Sequence, residues 1–175
     1  MRPLAEVLLL VSVGTLWGQE PEPFDSAAVA AGRPAVRIGL LGFAARAGAD
    51  VGGEGQAVVG VSLDVGHVVT ERLRLRPSGE IGVLNGDNTY VANLEVLYRF
   101  TPDTDVAVPY VGTGIGLAGR ANCATVQDCP AVWLQFVLGF ELQLRDQLAW
   151  FLEYHPEDAF RRQRVFIGLT TRRGS

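Results

Sequence analysis

Apolar and polar residues alternate along most of this chain, most strictly between Thr89 and Thr101. There Tyr90, Ala92, Leu94, Val96, Tyr98 and Phe100 take every second position; Asn93, Glu95 and Arg99 fall between them, with Val91 and Leu97 as exceptions. A period of two sends the two sets to opposite faces of a β-strand. Ten steps of strand span about 33 Å, or about 23 Å of height at a tilt near 45°. That height is close to the roughly 25 Å apolar band of a membrane-spanning barrel, and aromatic residues bracket it as they bracket such bands.

The same period predicts seven further strands, over residues 35–48, 56–68, 73–84, 106–120, 131–145, 148–155 and 163–172. The clearest is 131–145, where Val132, Leu134, Phe136, Leu138, Phe140, Leu142 and Leu144 form one unbroken apolar face. Pro77 and Gly79 predict a bulge or bend in the strand at 73–84. Asn85-Gly86-Asp87-Asn88 is a hairpin signal, and Asp146-Gln147 a tight turn. No helix is convincing, and an even set of strands solves its edge problem by closing. The expected fold class is all-β: an eight-stranded antiparallel up-and-down transmembrane β-barrel. Connections after the second, fourth and sixth strands read as short, and those after the first, fifth and seventh as longer; only the one after the third is tight where a longer loop is expected. Such asymmetry places the short turns and both termini on one side, the periplasmic one, and the loops at 122–130 and 156–162 outside.

The polar face carries Arg37, Arg74, Arg76, Arg99, Arg145 and Arg164 against Asp64, Glu80, Glu95, Glu141 and Glu153, six basic residues to five acidic ones. An eight-stranded barrel has an interior just wide enough for side chains to fill, and charges buried there must pair. The balance predicts a lumen plugged by an ion-pair network. Glycines on the same face (Gly60, Gly66, Gly82, Gly112, Gly114, Gly116, Gly139) are expected to leave room for the long arginines. A soluble barrel holding an apolar ligand alternates in the same way with its faces exchanged. The uniformly bulky face from Val132 to Leu144 favours lipid outside.

Composition narrows the reading. The 175 residues include 21 glycines and carry a net charge of −4, which gives no footing for nucleic-acid binding. Arg2, the apolar run 7–17 and Gly18-Gln19 read as a secretory signal peptide over 1–18. Residues 19–34, rich in Pro, Ala and acidic side chains, read as a flexible lead-in, and 35–173 as the barrel. No later apolar run is long enough for a helical membrane span.

Pro109-Tyr110-Val111-Gly112-Thr113-Gly114-Ile115-Gly116, Gly139-Phe140-Glu141-Leu142 and Phe151-Leu152-Glu153-Tyr154, in this order, resemble the eight-stranded outer-membrane β-barrel superfamily of Gram-negative envelopes, the OmpA-like and opacity-type small barrels. The resemblance runs over about residues 35 to 173. It implies residence in the cell outer membrane as a monomer. Its implied partners are outer-membrane lipid and lipopolysaccharide, the barrel assembly machinery, and an extracellular ligand met through the loops. Such barrels usually end in an aromatic residue that the assembly machinery reads, whereas this sequence ends Thr171-Arg172-Arg173-Gly174-Ser175.

Candidate chemistry is sparse. Cys123 and Cys129, with five residues between them in a loop of a secreted chain, predict a disulfide; no further metal ligands accompany them. Glu153 and His155 share a strand face, read here as a solvated rim. Barrels of the lipid A deacylase type carry a His-x-Ser element, but here Pro156 and Glu157 follow His155, and no serine lies in the last three strands. His67 stands at a strand end with no evident partner. Arg161, Arg162 and Arg164 are candidates for contact with anionic headgroups. The expectation is a structural or surface-interaction protein with no catalytic residues, cofactor or metal. A lipid-modifying enzyme and a soluble ligand carrier are the alternatives.

Overall fold

The computed structural model describes residues 37–52, 55–102, 105–121, 123, 129–158 and 160–171. The segments read as signal peptide (1–18) and lead-in (19–34) lie outside the described residues, as do 172–175 and the side chain of Arg37.

Eight antiparallel strands pair in sequence order: β1 (Arg37–Asp50), β2 (Ala57–His67), β3 (Leu73–Val83), β4 (Thr89–Arg99), β5 (Ala107–Arg120), β6 (Ala131–Arg145), β7 (Leu148–Glu157) and β8 (Arg162–Thr171). β8 returns to pair with β1, from Ala44↔Thr170 to Asp50↔Arg164, and closes the barrel. Closure gives every strand two hydrogen-bonding neighbours, the condition a sheet must meet to stand in lipid. Strands of 10 to 15 residues are long enough to cross a bilayer, which takes about 9–11.

The alternation decides the faces. In β4, Thr89, Val91, Asn93, Glu95, Leu97 and Arg99 are buried in the lumen, and Tyr90, Leu94 and Tyr98 are exposed outside. Val132, Leu134, Phe136 and Leu138 of β6 and Val165, Ile167 and Leu169 of β8 also face out. Aromatic pairs stand along this outer surface: Tyr98 with Phe100 at 5.3 Å and Phe140 with Trp150 at 5.5 Å lie towards the end bearing the chain termini, here called the lower end. Towards the upper end, Phe160 of the β7–β8 connection stacks on Phe136 at 6.4 Å.

Three details differ from the sequence reading. β3 pairs with β4 without interruption through Pro77 and Gly79; the irregularity falls in β2, between Ser62 and Gly66. In β1 the register shifts between Ile38 and Gly42. Ile38 and Leu40 face out before the shift, whereas Phe43 faces out and Ala44, Arg46 and Asp50 face in after it. β7 continues to Glu157, so the charged loop expected at 156–162 contracts to 158–161. The upper connections (51–56, 84–88, 121–130, 158–161) are therefore hardly longer than the lower ones (68–72, 100–106, 146–147), apart from 121–130. That connection contains the Cys123–Cys129 disulfide.

Candidate functional site

The lumen concentrates the chemistry of this molecule. Among the described residues, five arginines (Arg46, Arg74, Arg76, Arg99, Arg164) and six carboxylates (Asp50, Glu80, Glu95, Glu141, Glu153, Glu157) are buried, and Asp64 is half-buried. Each arrives on the inward phase of its strand, where a charge without a partner is costly. They are paired accordingly.

Six of them form one alternating chain. Arg164 Nη1 donates to Glu80 Oε2 at 2.6 Å, and Glu80 Oε1 accepts from Arg46 Nη2 at 2.5 Å. Arg46 Nη1 donates to Glu153 Oε2 at 3.2 Å. Glu153 also accepts from Arg76, whose Nε donates to Glu95 at 2.6 Å. The order Arg164, Glu80, Arg46, Glu153, Arg76, Glu95 ties β8, β3, β1, β7 and β4 together across the lumen. Neutral groups complete it from the other wall. Tyr110 Oη donates to Glu153 at 2.6 Å, Gln135 Nε2 to Glu95 at 2.6 Å and Asn93 Nδ2 to Glu80 at 2.9 Å. At the upper end Asp50 and Glu157 stand 3.7 and 3.6 Å from Arg164 Nε. At the lower end Arg99 pairs with Glu141, and Arg74 with Asp64. A cavity of about 30 Å³ lies among these lower residues, room for about two waters.

Aromatic rings fill the remaining space, and glycines make room for them. Tyr110, Trp133 and Phe151 each lie across from a glycine on the neighbouring strand: Gly139, Gly116 and Gly168 respectively. A Cβ on Gly139 would stand 2.7 Å from the Tyr110 ring, on Gly116 2.3 Å from Trp133, and on Gly168 2.4 Å from Phe151. Of the glycines expected to make room for arginines, Gly116 and Gly139 make it for rings, Gly82 for Gln56 and Thr89, Gly112 for Leu97 and Gly114 for Glu95; beside these, only Gly60 has an arginine, Arg46, among its nearest neighbours. Gly139→Val is expected to push Tyr110 off Glu153 and destabilise the barrel by about 1–3 kcal/mol. At Gly79 a Cβ meets nothing within 4 Å, so Gly79→Ala should leave stability nearly unchanged. Denaturant titration of the vesicle-inserted barrel compares the two.

Several positions expected from the alternation and the strand ends differ in the folded barrel. Arg145 is exposed and not in the lumen: the β6–β7 register shifts between Gln143 and Arg145, beside the Asp146-Gln147 turn, and that turns its side chain out. Glu153 and His155 are not at a solvated rim. They are 1% and 0% exposed, with His155 Nε2 2.9 Å from Glu153 and its ring edge-on to Phe166 at 5.0 Å. Arg164 is 0% exposed and cannot meet headgroups. Arg162 lies over the Trp133 ring at 5.2 Å, which leaves Arg161 as the exposed member of the three. His67 is half-buried at the lower end of β2. Arg46, Asp50 and Glu157 are lumen residues that the alternation did not assign.

The geometry has clear parallels among solved structures. The N-terminal β-barrel domain of Pseudomonas aeruginosa OprF superposes with a TM-score of 0.57 at 13% identity, over 76% of this chain and 98% of that one. Neisserial surface protein A gives 0.55 at 11%, over 76% and 96%. This chain has the fold of an eight-stranded transmembrane β-barrel. A barrel from de novo design of transmembrane β-barrels matches at 0.50 and 20%, over 78% and 98%. At such identities the likeness carries the fold alone. No protein-family model and no curated protein sequence matches the chain.

Proposed function

We propose that this chain is a small outer-membrane protein, exported by a signal peptide and inserted by the barrel assembly machinery. It acts there as a monomer, in a structural and surface-interaction role, with neither a pore nor an active site. The observation that carries this reading is the Arg164–Glu80–Arg46–Glu153–Arg76–Glu95 chain. It joins opposite walls across the lumen, so the interior serves stability and leaves interaction to the outer surface and the upper rim. The buried state of Glu153 and His155 speaks against hydrolysis, since neither is open to a lipid substrate. On the rim, Phe160 reaches the outer apolar surface through its stacking on Phe136, and the exposed Arg161 stands next to it, at headgroup height for lipopolysaccharide phosphates.

The test is carbonate-washed fractionation of cells expressing the full chain, gel migration with and without boiling, and sugar uptake by reconstituted vesicles. Retention in the outer membrane, a heat-dependent mobility shift and vesicles that stay impermeable to arabinose are expected. Release into the soluble periplasm, or arabinose entry, would overturn the reading.

A further inference from the structure

The outer wall of the barrel is not uniformly bulky. Across β2, β3, β4 and β5 the register aligns Val61, Gly79, Ala92 and Leu117 in one outward row. The two central members are the smallest side chains available, and the outer ones are exposed and large. The next row towards the upper end contains Ile81 and Tyr90, which pair directly. The result is a slot of about 650 Å³ with Gly79 and Ala92 on its floor and Val61, Ile81, Tyr90 and Leu117 as its walls. That volume lies within the roughly 300–1,000 Å³ of ligand sites.

Pro130 lines the upper end of the slot. It follows Cys129, and Cys123 Sγ lies 3.6 Å from where a Cβ on Gly119 would stand; Gly119 lines the slot as well. The disulfide thus ties Cys123, beside Gly119, to Cys129, next to Pro130, and both Gly119 and Pro130 line the slot.

We propose that this slot binds one acyl chain of a bilayer lipid and retains it, with Pro130 at its upper end. The proposal rests on the membrane reading above. The slot is continuous with the outward apolar face and opens onto it, so what reaches it in a bilayer is hydrocarbon. An unfilled apolar groove forfeits dispersion contacts on every wall, and a Cβ at Gly79 finds nothing within 4 Å. A chain lying there regains those contacts on its floor and its walls. A chain on the bulky β6 face touches one side only and exchanges freely.

The test uses the full barrel folded into vesicles of dimyristoyl phosphatidylglycerol, then transferred to mild detergent and weighed intact by native mass spectrometry. Insertion is read first, from the heat-dependent mobility shift. One retained lipid per barrel is expected. Gly79→Leu and Ala92→Leu, which fill the slot from two strands, should each abolish retention while keeping the mobility shift. Leu134→Ala on β6 should leave it intact. A barrel that inserts but retains no lipid overturns the proposal, and so does retention that survives both filling variants. A doubled protein mass lost in the filling variants would assign the slot to a second copy and overturn it too. Failure to insert would instead remove the membrane reading on which it stands.

Discussion

Glu153→Ala is expected to destabilise the folded barrel by about 3–5 kcal/mol, the loss typical when one partner of a buried charge network is removed. Glu153 is the junction of the lumen. It accepts from Arg46, Arg76 and Tyr110 and lies 2.9 Å from His155 Nε2. Without it, the two buried guanidiniums keep two carboxylates, Glu80 and Glu95, and Arg46 keeps its bond to Ser78 Oγ at 2.7 Å. Tyr110→Phe removes a single donor to the same charged carboxylate and should cost about 1.5–3 kcal/mol, less than loss of the carboxylate itself. Paired replacement of Arg76 by Met and Glu153 by Leu should recover much of the loss, because apolar groups of similar volume bring no unmet charge. Guanidinium titration of vesicle-inserted barrels, followed by tryptophan fluorescence, measures all three. A Glu153→Ala barrel within about 1 kcal/mol of the parent would mean that water, and not the arginines, solvates this carboxylate.

The lumen is also where sequence and structure diverge most usefully. β4 was legible in full because its two faces differ in kind, bulky apolar against polar. The same contrast located β6, β7 and β8 to within two residues and gave Glu80, Glu95, Arg99, Glu141, Glu153 and Arg164 their inward positions. β1 offers no such contrast. Ala44-Ala45-Arg46-Ala47-Gly48-Ala49 is small on both faces, and the register shift between Ile38 and Gly42 inverts the phase read from Ile38 and Leu40. Carried through unshifted, that phase would put Arg46 in lipid, although it is 3% exposed and bonded to two glutamates. Arg145 fails for the same reason at the end of β6. A period of two is informative only between irregularities, and one inserted residue exchanges the faces of everything beyond it. The outer slot was illegible for another reason. Gly79 and Ala92 are ordinary in their own strands and become a floor only when the β3–β4 register sets them side by side.

Leu138→Arg decides which side of the wall is wet. Leu138 points outward from β6, 48% exposed, between Phe136, stacked on Phe160 near the upper end, and Phe140, which meets Trp150 near the lower end. Leu138 is also the middle residue of the 15 in β6 (Ala131–Arg145), which puts it near the midplane of a bilayer that the strand crosses. An arginine on the lipid face there costs about 2–4 kcal/mol, falling to about 0–1 near the interfaces. A graded series should follow: Leu138→Arg strongly destabilised in vesicles, and Val132→Arg, 73% exposed at the upper end of the same face, close to neutral. On a soluble barrel both positions would be ordinary surface, where substitutions usually stay within about 0.5 kcal/mol. The depth dependence is the discriminating quantity, because a general loss of β-sheet packing would penalise both positions alike. Equal and small effects at Leu138 and Val132 would put water against this face and reverse inside and outside for the whole chain.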